Sequence, residues 1–116
     1  MSEKQLLKVV GTVVTDRNGA LESTTGRGIV QLKRGDTIVE FMKRFLADRG
    51  IVRCTLNQRS ANMWTTTPIM VLNEEPKIVI TYVFTQFPLS EIGYYGKDLT
   101  KAEMVRDFKF LKRILT

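Results

Sequence analysis

The sequence predicts an α+β domain: about five mainly antiparallel strands in one sheet, with two helices packed on one of its faces. Three observations carry that expectation. An Asn-Gly pair at 18–19 stands between two runs rich in β-branched residues. Two segments, near 37–49 and after Thr100, carry apolar residues at helical spacing. The run KIVITYVFTQF, residues 77–87, has strong β propensity and is apolar on both alternating faces, as a central strand is. The order reads strand, strand, helix, three strands, helix, in a single domain spanning 1–116, with no repeat or dividing linker.

The first strand is LLKVVGTVVTD, residues 6–16. Asn18 and Gly19 both tolerate the positive φ of a two-residue type I′ turn, so a hairpin is expected there. Its return strand starts at Ala20, is expected to loosen over Ser23–Gly28, and resumes from Gly28 to Lys33. Asp36 then stands where a carboxylate accepts from the free amides of a first helical turn, and Gly50 where a left-handed cap ends the helix. Between them Ile38, Phe41, Met42, Phe45 and Leu46 form one apolar stripe.

Beyond the cap, Ile51–Asn57 alternates, with Val52, Cys54 and Leu56 on one face, and reads as a half-buried strand. Residues 57–68 read as a loop, Ile69–Leu72 as a short strand and 73–76 as a turn before the run at 77–87. Tyr94 and Tyr95 lie in a Gly-containing connector. Thr100 with Glu103 three residues on is a capping box, opening a second helix striped by Met104, Phe108, Leu111 and Leu115.

Composition excludes much enzyme chemistry. The chain has no histidine, so Ser/His/Asp and Cys/His arrangements cannot assemble within it. Cys54 is the single cysteine, which leaves no internal disulfide and no multi-cysteine zinc site, and its apolar neighbours point to a packing role. Gly26-Arg27-Gly28 has no phosphate-loop spacing and no helix directly after it. The acidic residues fall in turns and caps, with no pair forced together. A non-enzymatic protein without metal or cofactor is expected. No apolar run approaches the length of a membrane span, and no secretion signal is read at the amino terminus. A cytoplasmic location, or a nuclear one in a eukaryote, is the expectation.

The positive signal is charge. Eighteen Lys and Arg against twelve Asp and Glu give +6 and a pI near 9.7, which favours a nucleic acid or an acidic protein surface as partner. Arg106, Lys109 and Arg113 recur along one side of the expected last helix, joined by Lys101 and Lys112, and can meet successive phosphates. In and beside the 57–68 loop, Arg53, Arg59 and Asn62 offer donors, and Trp64 offers a ring that either stacks on an unpaired base or packs in the core. These nine residues are the candidate nucleic-acid contacts. The second reading is a protein-interaction module or homodimer that uses the apolar excess of the last helix, where Phe110 and Ile114 widen the stripe.

Overall fold

The structure, a computed structural model, describes residues 4–32, 35, 37–71 and 77–95. Its first two strands, β1 (Gln5–Arg17) and β2 (Ala20–Gln31), form the expected hairpin around Asn18 and Gly19, whose φ values are 55° and 88°. The Asp16 carboxylate accepts from the Gly19 amide at 2.9 Å and tightens the turn. Register runs unbroken from Leu6↔Gln31 to Arg17↔Ala20, so the expected loosening at 23–28 does not occur. Gly26 and Gly28 lower local strand propensity, but Thr24 and Thr25 favour a strand and a continuous ladder to β1 fixes the backbone. Gly26 and Gly28 fall on the covered face, opposite Gly11 and Val9.

Helix α1 (Ile38–Ala47) follows. Asp36, the expected cap, lies outside the described residues; Thr37 caps the helix, its Oγ1 accepting from the Glu40 amide at 3.2 Å. At the other end the Ile51 amide donates to Leu46 O and the Gly50 amide to Ala47 O, both at 2.9 Å. Those two bonds, with Gly50 at φ 76°, make a Schellman cap. The cap explains why the expected strand at 51–57 is displaced. Ile51 closes the helix end and packs on the core, Val52 is 79% exposed, and strand β3 begins only at Leu56.

The stretch 57–68, expected as a loop, is a hairpin: β3 (Leu56–Ser60) and β4 (Met63–Thr66), with a register shift between Gln58 and Ser60. After Pro68 come β5 (Ile69–Val71), the long β6 (Lys77–Pro88), a single 3-10 turn (Leu89–Glu91) and one turn of helix, α2 (Ile92–Tyr95). The described residues form an antiparallel six-stranded sheet, one strand more than expected, ordered β2-β1-β6-β4-β3 with β5 also on β6. Among the described residues α1 is the one helix longer than a turn, against the two expected; the helix expected from Thr100 lies outside them.

The run at 77–87 is central, as its two-sided apolar pattern requires. Ile80, Tyr82 and Phe84 on β6 and Leu7, Val9 and Val13 on β1 meet Met42, Phe45 and Leu46 from α1 in one core. Phe45 stands edge-on to Tyr82 and Phe84, with ring centroids 5.2 and 5.5 Å apart. Leu6 and Phe87, paired in register, are buried on the opposite face.

Candidate nucleic-acid interface

Three hydrogen bonds donated by backbone amides fix which way each strand presents its residues. The Tyr82 amide donates to Thr66 Oγ1 and the Gln86 amide to Asn62 O, so even-numbered residues of β6 direct their backbone groups toward β4. Leu32 donates to Gln5 O, so odd-numbered residues of β1 bond toward β2. Side chains follow the same parity. The α1 face carries Leu7, Val9, Ile80, Tyr82 and Phe84, and the other face carries Lys8, Val10, Thr12, Arg27, Thr81, Val83 and Thr85.

On that second face one row crosses the sheet as Arg27, Val10, Val83, Thr65 and Asn57. Four strand steps of ~4.8 Å give it a span of about 19 Å. Arg59 closes the far end: its Nε donates to Thr65 Oγ1 at 2.9 Å, which draws an exposed guanidinium onto this face. Lys8 stands on β1 beside the row. Asp16 is the described acid on the face, at the hairpin end, opposite Lys77.

Of the nine residues singled out from sequence, the structure describes four. Arg59 lies on the cationic face. Arg53 is exposed in the connector between α1 and β3 and does not join it. Asn62 is occupied in the β3–β4 turn, where Nδ2 donates to Gln86 O at 3.3 Å and Oδ1 accepts from Ser60 Oγ at 2.9 Å. That amide is therefore engaged in holding the turn. Trp64 is 8% exposed, paired with Phe84 inside the core. It has no open ring face for a base, and packing is the role it fills. Lys101, Arg106, Lys109, Lys112 and Arg113 lie outside the described residues.

Lys8 and Arg27 were not singled out from sequence, although a signal existed. With Asn18-Gly19 as the turn, residue 10 pairs with 27 and residue 8 with 29, which sets Lys8 and Arg27 on one face before any coordinates are known. Reading 23–28 as loosened hid this pairing.

On the α1 side, an apolar groove of about 670 Å³ runs between the helix and the 51–58 segment, lined by Val39, Lys43, Leu46, Ile51, Val52 and Cys54 among others. Burial pushes the Cys54 thiol above its ordinary range, so it stays protonated and a poor nucleophile at neutral pH. Among the described residues no group of three His, Cys, Asp or Glu is placed to hold a metal ion, and no helix is long and apolar enough to cross a membrane. Compared with known proteins, the chain matches no family model, no curated protein and no solved structure.

Proposed function

We propose that this is a non-enzymatic binding protein that takes a nucleic-acid backbone on the sheet face opposite α1. The observation that carries the reading is the strand register, which gathers Lys8, Arg27 and Arg59 on one face with Asp16 as its described acid. Threonine hydroxyls at 12, 65, 81 and 85 lie among the cations and suit phosphate and sugar oxygens. The row from Arg27 to β3 spans about 19 Å, or five to six phosphates at the ~3.4 Å rise of one duplex strand.

The recognition is electrostatic and tolerant of sequence, since Trp64 is withdrawn into the core and Asn62 is occupied. Three phosphate contacts imply a loss of affinity of roughly fortyfold between 50 and 200 mM salt, and six contacts roughly a thousandfold. Titrating labelled single-stranded DNA, RNA and duplex DNA at those two concentrations tests this. Binding that falls with salt, and is abolished by Arg27→Glu together with Arg59→Glu, is the expected result. No binding of any of the three at 50 mM salt removes the reading and leaves an acidic protein surface as the ligand for these cations.

A further inference from the structure

Strand β2 lies at one edge of the sheet, and among the described residues no strand pairs with its outer side. The parity fixed above determines what that edge presents. Odd residues of β1 bond to even residues of β2, so Leu21, Ser23, Thr25, Arg27 and Ile29 turn their amides and carbonyls outward. The edge is long, and its charged residues are Glu22 and Arg27. β2 has twelve residues with no proline, no lysine and no register shift, whereas the opposite edge strand β3 has five and a bulge. Exposed edges in soluble proteins ordinarily carry such defences or a partner. Residues 20–25 and 27 are exposed, and Leu21 is 70% exposed, although it lies in a sheet.

We propose that β2 pairs antiparallel with β2 of a second copy of this chain, with Thr25 on the two-fold axis, so that two sheets join into one. The sequence of the edge is self-complementary in that register. Each residue i meets residue 50 − i of the other copy, so Leu21 packs on Ile29, Ser23 lies beside Arg27 and Thr25 meets Thr25. All these side chains lie on the face opposite α1. A shift of two residues in one sense sets Leu21 against Gln31, a shift of four sets Arg27 against Arg27, and a shift of two in the other sense sets Leu21 against Arg27. In the Thr25-centred register the Leu21–Ile29 and Ser23–Arg27 pairs each form twice and the Thr25 pair once, on the axis, as a closed two-fold interface requires. Each copy brings its own Arg27 and Lys8 to the joined face, but the pairing stands whether or not that face binds nucleic acid.

Sedimentation equilibrium of the full chain between about 1 and 500 µM tests the proposal, and a dimer is expected. Thr25→Pro removes an outward amide without touching the bonds to β1, and is expected to weaken the dimer by at least about tenfold. Thr25→Lys, which sets two like charges together at an exposed site, is expected to weaken it too and covers the case in which the proline variant does not fold. In a Cys54→Ser background, Thr25→Cys is expected to give a disulfide-linked dimer on oxidation, and Ser23→Cys is not. A monomer at all concentrations overturns the proposal. So does a dimer indifferent to both Thr25 substitutions, or cross-linking through Ser23→Cys in place of Thr25→Cys.

Discussion

The guanidinium carbon of Arg49 lies 3.5 Å from the centroid of the Phe45 ring, and Arg49 Nη1 donates to the Phe45 carbonyl oxygen at 2.9 Å. One turn of helix separates the two residues, so a single side chain covers the core ring and satisfies a last-turn carbonyl. Arg49 is 8% exposed, and that burial lowers its pKa, an effect partly offset by Tyr82 and Asp48.

Arg49→Lys is expected to cost about 1–3 kcal/mol of stability, because an ammonium on a flexible stem cannot both lie flat on the ring and bond the carbonyl. Urea unfolding with an unchanged slope checks this. A loss below about 0.5 kcal/mol, typical of a surface site, would count against the role given to the stack.

Tyr82 makes a second prediction. Its hydroxyl is buried with no hydrogen-bond partner among the described residues, and burial pushes its pKa from the usual 10 up to about 12, with Arg49 opposing the shift. A tyrosine whose folded pKa is raised contributes stability that is whole below pH 10 and lost as pH rises toward 12. At 1.36 kcal/mol per unit the loss is roughly 2–3 kcal/mol. Tyr82→Phe is expected to leave stability at pH 8 unchanged or slightly higher, since the hydroxyl it deletes is unsatisfied, and to flatten the decline above pH 10. Denaturant titrations of both proteins at pH 8, 10 and 11.5 measure the difference, and parallel declines would refute the assignment.

Trp64 is the chain's single tryptophan, so its fluorescence reports one site. A ring 8% exposed against Phe84 is expected to emit as a buried indole and to resist quenching by acrylamide. Added nucleic acid is expected to leave that emission unchanged, because the proposed binding face is the other face of the sheet. Strong quenching by an oligonucleotide would restore the stacking role weighed from sequence. Trp64→Ala is expected to cost about 3–5 kcal/mol.

The hairpin turn, α1 and the central strand were legible because each follows from local rules. Asn18-Gly19 tolerates positive φ, the stripe from Ile38 to Leu46 has helical spacing, and apolar residues on both sides of 77–87 mark a strand flanked by others. The 51–66 region was not legible. Val52, Cys54 and Leu56 alternate like a strand, yet the Ile51 amide is already committed to Leu46 O, and the ladder starts five residues later. Met63–Thr66 looks polar and loop-like, but pairing with β6 turns Trp64 and Thr66 inward. Of the proposed interface, Arg59 was singled out from charge alone, whereas placing Lys8 and Arg27 on the same face needed the hairpin register.

By itself the sequence determined the antiparallel α+β character, the position and polarity of the helix, the absence of histidine chemistry and the excess of positive charge. Those depend on composition and on contacts a few residues apart. Only the tertiary structure decided that β1 and β6 lie side by side, that Trp64 belongs to the core, and that cations from β1, β2 and β3 share a face. Such pairings join residues dozens of positions apart. They are selected by which apolar faces bury together, and no local pattern encodes that choice.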